Sequence, residues 1–402
     1  MAILADKKIL LGVTGGIAAY KSALLVRQFI KAGAQVKVVM TEAAKEFVTP
    51  LTLSTLSKNE VISSFTHDED ENAVWNNHVE LGLWADYMVI APVTANTMSK
   101  MVSGAADNIL LATYLSAKCP VYFAPAMDLD MYQHPSTKNS IAKLQEFGNT
   151  FIPATSGELA SGLEGQGRMA EPVDIVSFVE NHILTGLALH GKTCLITAGP
   201  TYEPIDPVRF IGNHSSGKMG FEIAKAMVNQ GAKVILVSGP SHETIDSKYV
   251  ERIDVMSAAQ MFDTVKKRFA SCDIAIAAAA VADYTPVHVA DQKIKKKKEN
   301  LVLELKKTTD ILKYMGDHKK SQFVVGFALE TQNELANAKE KLARKNADFM
   351  VLNSLNDKGA GFKKETNKIT IIHNNGDLNE FELKSKSAVA NDIVHQIIQR
   401  TA

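Results

Sequence analysis

Cysteine is scarce in this sequence. Three occur in 402 residues, Cys119, Cys194 and Cys272, far apart and without a C-x-x-C pair. That pattern excludes a disulfide scaffold and a structural zinc site, and it points to a reduced, cytoplasmic protein. Net charge is missing as well: 44 Lys and Arg balance 44 Asp and Glu. No global field therefore draws the chain to nucleic acid or to an anionic membrane. No apolar run reaches the ~18 residues that would span a bilayer. Neither half carries G-x-G-x-x-G, which argues against a nicotinamide dehydrogenase. The opening MAILADKKILLGVTGG is not ordered like a secretion signal. Asp6 precedes the lysines and glycines follow at once, so the stretch reads as a first buried strand.

Hydrophobic residues make up 46% of the chain, enough to build a core, and the length suits two or three domains. The chain starts twice. Residues 7–41, KKILLGVTGGIAAYKSALLVRQFIKAGAQVKVVMT, read strand, Gly-rich turn, helix, Gly, strand. Residues 192–240 repeat that order with a longer insert after the first strand. Gly33 and Gly231 fall where a helix C-cap belongs. Further strands are expected at 87–93 and 120–127, then at 273–284 and 322–330. The fold expected is α/β: two doubly wound, Rossmann-like domains with mainly parallel sheets, 1–190 and 191–402, joined near LTGLALHGKT. In such sheets ligands sit beyond the carboxyl ends of the strands.

GNHSSGKM (212–219) fits a phosphate loop except at its last position, where Met219 replaces a hydroxyl. Met219, Ile223 and Met227 are spaced as one buried helical stripe, and the preceding strand ends too early, near Ala198. The P-loop reading fails. Two readings stay open from this segment alone: an anion held by helix N–H groups with Ser215, Ser216 and Lys218, or a capped helix with a solvated lysine.

The context adds TAGPTYEPIDPVRFIGNHSSGKMG, AAAAVADYTP, KIKKKK and VVGFALET, in that order. Together they resemble the phosphopantothenate–cysteine ligase family over nearly all of 191–402. The resemblance implies activation of a carboxylate by CTP with Mg²⁺ as an acyl-cytidylate, then attack by the amine of cysteine. It assigns Asn213 to the acyl-cytidylate and its aminolysis, and Ser215, Ser216 and Lys218 to the substrate. Lys293 corresponds to the nucleotide-phosphate lysine, and Asp283, placed at the end of a strand, to a nucleotide contact. Phe327, Lys341 and Lys345 match other CTP positions, although Phe327 taken alone reads as core rather than as a ligand contact. Lys296–Lys298 read as solvated charge. No metal ligands are assigned.

In the first half, GVTGGIAAYK, VVMTEAA, NHVELGLWAD, APVTANTMSKMVSGAADNIL and APAMDLDMY resemble the flavin-dependent cysteine decarboxylase family over about 5–175. The implied reaction is oxidative decarboxylation of phosphopantothenoylcysteine, with FMN accepting and later returning a hydride. His78 is the implied active-site histidine; Thr14, Gly16, Thr41, Thr94, Asn96 and Thr97 are implied FMN contacts; Met127 and Asp128 face the substrate. His67 and His134 read as surface residues. Two positions depart from the family pattern. Asp128 replaces an Asn that contacts a carboxylate, and a carboxylate there repels one. Ser161, in SGELASGLEGQGRMAEP, replaces the Cys that donates the final proton, and a hydroxyl is a far weaker acid. Ser161 can relay a proton from water, Glu158 or Glu164, and the glycines suit a mobile lid. The alternative is a flavin-binding module without full turnover beside an active ligase. The implied assembly is a homo-oligomer, a dodecamer built from trimers of one half and dimers of the other. The expected partners are small molecules, with no nucleic acid and no membrane.

Overall fold

The computed structural model describes residues 3–66, 75–296, 300–330, 332–354 and 364–401. It divides into two compact units, one running through Ile183 and one from Leu184. His67, Lys297 and Lys298 lie outside the described residues. Among the described residues, no helix is long and apolar enough to cross a membrane.

The first unit contains β1 (Lys8–Val13), α1 (Lys21–Lys31), β2 (Gln35–Met40), β3 (Val61–Ile62), α2 (His78–Trp84), β4 (Tyr87–Val93), α3 (Ala95–Ser103), α4 (Ile109–Ser116), β5 (Val121–Pro125), α5 (Leu129–Gln133) and β6 (Thr150–Phe151). Its sheet order is β3-β2-β1-β4-β5-β6, and every pairing is parallel. Chain direction across the sheet reverses between β1 and β4, which opens a crevice above those two strands. β1 and β4 are apolar on both faces because helices cover both faces of a parallel sheet. A hairpin of β7 (Thr155–Glu158) and β8 (Glu164–Arg168) follows, and it lies outside the main sheet.

The second unit repeats the plan. It contains β9 (Thr193–Ala198), α6 (Lys218–Asn229), β10 (Lys233–Ser238), β11 (Val250–Asp254), β12 (Ile274–Ala277), α7 (Ile311–His318), β13 (Phe323–Glu330), α8 (Glu334–Lys345), β14 (Phe349–Ser354), β15 (Ile369–His373), β16 (Leu378–Glu380) and α9 (Lys386–Thr401). The order is β11-β10-β9-β12-β13-β14-β15-β16, parallel as far as β14 and antiparallel beyond it. Alternation along each strand fills two cores. Cys194, Ile196, Val234 and Leu236 pack on the face covered by α6 and α9, while Leu195, Ile235 and Val237 pack with α7 and α8 on the other. Gly33 and Gly231 end their helices at φ +86° and +92°, a backbone region that suits glycine.

One expected strand is much shorter than its sequence suggests. Within 273–284 the main-sheet strand covers only Ile274–Ala277 and Tyr284 opens a separate short strand, Tyr284–Pro286, so Asp283 sits in the loop between them and not at the end of the sheet strand. The N–H groups beyond it bond to the loop after β9: Ala280 to Gly199 O at 2.9 Å and Ala282 to Thr201 Oγ1 at 2.9 Å. Consecutive alanines are small enough to leave the sheet there without stranding a large apolar side chain.

Candidate active sites

Beyond the carboxyl ends of β1, β2, β4 and β5 the first unit encloses a cavity of about 980 Å³. Gly16, Thr41, Thr94, Asn96, Thr97, Met127 and Asp128 all line it. Thr94 caps α3 by accepting the Thr97 N–H at 3.3 Å, so the polar turn after β4 is pinned at the cavity wall. Gly15 lets the turns after β1 and β2 meet, since a Cβ there would lie 2.6 Å from Ala43 Cβ. Gly167 on β8 lies against the Met127 carbonyl, where a Cβ would stand 2.4 Å from the oxygen. The hairpin therefore packs directly on the Met127–Asp128 turn, with Met127 N–H donating to Gly167 O at 3.0 Å.

Not every expected contact reaches the cavity. Thr14 is buried behind it. Its hydroxyl donates to Pro92 O at 2.9 Å and accepts from Thr94 N at 3.0 Å, which ties the end of β1 to the end of β4. Ser161 is exposed in the hairpin turn, where its Oγ accepts from Leu163 N at 3.4 Å; Glu158, Leu159 and Ala160 line the cavity instead. His78 opens α2 behind the cap of Asn77 and sets its ring edge-on to Phe65 and Trp75. Asp128 caps α5, its Oδ1 accepting from Leu129 N at 2.6 Å. His134 is exposed and caps the next helix.

Among the described residues, two buried side-chain polar atoms lack a hydrogen-bond partner: Thr41 Oγ1 and His78 Nδ1. Buried polar atoms are nearly always paired, so an orphan marks a place for an absent partner. The sequence did not point to Lys21. It is buried at the start of α1, and its ammonium donates to Met169 O at 3.1 Å and to Glu171 Oε1 at 2.8 Å. Arg168 donates to the same carboxylate oxygen at 3.1 Å. Lys21 above all, then Arg168, hold the Glu171 carboxyl below its usual range. This cluster clamps the base of the hairpin to α1.

The second unit has two adjoining chambers of about 360 and 530 Å³. Asp283, Phe327 and Lys341 line both. Asn213, Ser215, Ser216 and Lys218 line the smaller one, and Lys345 lines the larger. Asn213 Nδ2 donates to Ala280 O at 2.8 Å, so the shortened strand and the 212–219 segment form one wall. The serines act on their own loop: Ser215 Oγ accepts from Gly217 N at 3.2 Å and Ser216 Oγ from Lys218 N at 3.4 Å. Met219 packs against the core, as its place in the stripe demands. Lys341 donates to Phe327 O at 3.0 Å, and burial pushes its ammonium below the ordinary value. Lys345 pairs with Asp310, the N-cap of α7.

Lys293 is exposed and lines neither chamber. Its neighbour Ile294 is anchored: its N–H donates to Asp206 Oδ2 at 3.0 Å, and Arg209 Nη2 donates to its carbonyl at 2.9 Å. Lys296 is exposed too. Lys307, Arg344, Asn353, Asn367 and Lys386 line the chambers without having been singled out by sequence. A lysine or arginine at a helix end reads as ordinary surface until the fold shows what it faces.

Comparison with known proteins agrees with this division. Residues 3–184 match the family model described as Flavoprotein, and 189–401 match the DNA/pantothenate metabolism flavoprotein C-terminal domain. The coenzyme A biosynthesis bifunctional protein CoaBC of Bacillus subtilis (strain 168) is 45% identical over 397 residues, covering 98% of this chain and 97% of that protein. The chain belongs to the bifunctional coenzyme A biosynthesis protein family. The chain is also similar to a protein of an unknown prokaryotic organism, named cysteine/cysteine sulfinic acid decarboxylase. It is 52% identical over 356 residues, which are 87% of this chain and 99% of that protein. A solved C-terminal domain of a CoaBC protein is 42% identical, with a TM-score of 0.46, over 54% of this chain and 98% of that one. In this bifunctional family member the first unit is a flavoprotein domain, and its orphaned Thr41 hydroxyl, its glycine-lined turn and its roomy cavity fit a bound flavin.

Proposed function

We propose that the second unit joins cysteine to 4′-phosphopantothenate with CTP, and that the first decarboxylates the product to 4′-phosphopantetheine with FMN. The chain is an enzyme of coenzyme A biosynthesis with two activities, divided between its two units. The observation that carries the decarboxylase assignment is the pair of orphaned atoms, Thr41 Oγ1 and His78 Nδ1.

In the ligase half, the substrate carboxylate attacks the α-phosphorus of CTP and pyrophosphate leaves. The cysteine amine then attacks the acyl carbon; the amide forms and CMP departs. The larger chamber suits the nucleotide. Lys341 and Lys345 offer charge to its phosphates, Phe327 and Asp283 bound its wall, and Mg²⁺ enters with the triphosphate. Lys293, on its anchored loop, reaches the phosphates from outside the chamber. Asn213 lines the smaller chamber, which takes the acyl group in this reading. A neutral amide polarises a carbonyl there without competing as a nucleophile.

In the decarboxylase half, FMN when bound supplies the hydride acceptor and donor. Gly16, Thr41, Thr94, Asn96 and Thr97 hold it, and Thr14 fixes the wall behind them. His78 moves a proton at the substrate thiol. Met127 and Asp128 face the substrate, Asp128 accepting from an amide N–H, which avoids setting carboxylate against carboxylate. Ser161 relays the last proton, with Glu158 the hairpin carboxyl that reaches the cavity. Ser161→Ala is expected to leave oxidative decarboxylation intact and to slow only the reduction step. Unchanged full turnover would end that role.

The test is one time course by mass spectrometry. The FMN-loaded protein is given 4′-phosphopantothenate, cysteine, CTP and Mg²⁺. Appearance of 4′-phosphopantetheine supports both activities; arrest at phosphopantothenoylcysteine or at its oxidised enethiol removes the full reaction from the first unit. A second reading, direct decarboxylation of cysteine or cysteine sulfinic acid, is favoured by the 52% identical relative of that name. It predicts CO₂ loss from either compound without CTP.

A further inference from the structure

Lys341 and Lys345 stand one turn apart on α8, and both line the larger chamber of the second unit. Their partners differ. The Lys345 ammonium pairs with the Asp310 carboxylate, which fixes its proton and its charge. The Lys341 ammonium donates instead to a carbonyl, Phe327 O, at 3.0 Å, and among the described residues no carboxylate forms an ion pair with it. A carbonyl accepts from an ammonium and from a neutral amine alike. That bond therefore holds Nζ in place without holding its proton.

Place sets Lys341 apart as well. Among the described residues, Asp283 and Lys341 are the titratable side chains that line both chambers. A carboxylate of ordinary basicity is a weak proton acceptor beside an amine. A desolvated lysine is a strong one. Burial above all pushes the Lys341 ammonium below its ordinary value, and Lys345 on the same helix adds to this. Glu330 at the end of β13, Asp310 before α7 and Asp283 in the loop after β12 oppose it. Lys307 and Arg344 line the larger chamber with it. Amide formation needs a proton acceptor, because cysteine in water is an ammonium without a lone pair to attack with.

Resting on the ligase reading, we propose that Lys341 is the general base of the amide-forming step, taking a proton at Nζ from the cysteine ammonium. The two steps then use its two states. As a cation it faces the triphosphate while the substrate carboxylate attacks the α-phosphorus. It passes its proton to the departing pyrophosphate, which is a stronger base than the anhydride it came from. Neutral Nζ then takes one proton from the cysteine ammonium. The freed amine attacks the acyl carbon; the C–N bond forms and the acyl C–O bond breaks. The second nitrogen proton leaves on the phosphate oxygen of CMP.

Rapid-quench kinetics on the full-length protein test this. The protein is given saturating CTP, Mg²⁺ and 4′-phosphopantothenate, and pyrophosphate release is timed. Cysteine is then added, or hydroxylamine, whose nitrogen is already neutral at neutral pH and needs no base. Lys341→Arg keeps a charge that is never given up. It slows amide formation with cysteine about 100- to 10,000-fold more than it slows pyrophosphate release, the scale of a lost general base. The acyl-cytidylate accumulates, and hydroxylamine captures it as the hydroxamate at a rate within a few-fold of the unaltered protein. Lys341→Met shows the same split, which separates loss of the base from crowding by the guanidinium. The inference is overturned if both variants slow pyrophosphate release as much as amide formation, because Lys341 would then serve the triphosphate alone. It is also overturned if Lys341→Arg sustains amide formation, or if capture by hydroxylamine falls in step with cysteine. Absence of pyrophosphate release by the unaltered protein is a different failure: it sinks the ligase reading, and this role with it.

Discussion

Thr41 and His78 each hold a polar atom away from water without a partner. An unmade buried hydrogen bond costs about 1–3 kcal/mol, and a bound group that completes it recovers that cost. Thr41→Val is therefore expected to act in opposite directions on the two forms. The flavin-free protein should keep its stability or gain slightly, because a stranded hydroxyl is gone. FMN affinity should fall about 2- to 10-fold, the worth of one neutral hydrogen bond. Thermal melts with and without FMN, together with flavin fluorescence titration, check both signs; an equal loss in both forms would mean that Thr41 is structural. Sequence marks a hydroxyl after a strand but does not say which way it faces. Thr14 and Thr41 both follow Rossmann strands, yet the first is engaged by Pro92 and Thr94 while the second faces the cavity. Lys386 is illegible for a related reason: it lines the smaller chamber only because α9 begins beside the start of α6, 168 positions after Lys218 in the chain.

Two elements outside the main sheets bring chemistry to them: the hairpin over the first cavity and the 205–209 loop of the second unit. The second is held by Asp206. It accepts from the N–H groups of Val208, Arg209 and Ile294 and pairs with the Arg209 guanidinium. Arg209 chiefly, opposed by burial and aided by those N–H groups, depresses the Asp206 carboxyl well below the usual range. A depressed carboxyl stabilises the fold fully above its unfolded value, about 3.9, and loses that contribution as pH falls through the lower folded value. The stability gap between the unaltered protein and Asp206→Asn should therefore stay constant from neutral pH down to about 4 and shrink only below it. Urea melts across that range measure the gap, and a gap that closes above pH 5 would contradict the anchoring. Since Ile294 hangs on this carboxylate, the same substitution should also raise the KM for CTP through Lys293 while leaving decarboxylation alone. The anchor to Ile294 is not legible in PIDPVRF, because that partner lies 88 positions downstream. The regular elements were legible for the opposite reason. Period-two and helical spacing with glycine at the helix ends are local signals, and they marked β4 at 87–93 to the residue. They overran β12 because alanine carries too little side chain to mark a face.

Each unit has its own sheet, its own cores and its own site lined by its own residues. Physical independence of the two chemistries follows, and it gives an expectation for the whole molecule. Asn213→Ala should cut amide formation about 100- to 1,000-fold, the scale for losing one donor aimed at developing charge. It should leave decarboxylation of supplied phosphopantothenoylcysteine unchanged. His78→Asn should do the reverse and leave amide formation intact. A mixture of the two single variants then separates two ways of running the sequence. If the intermediate leaves one site and finds the other through solution, the mixture makes 4′-phosphopantetheine after a lag that shortens as protein concentration rises. If the intermediate passes only within one assembly, separately purified variants fail to complement while co-expressed ones succeed. The cavities themselves favour the first outcome. Each is bounded by residues of a single unit, and each opens beyond the carboxyl edge of its own sheet, so each can load its substrate from solution.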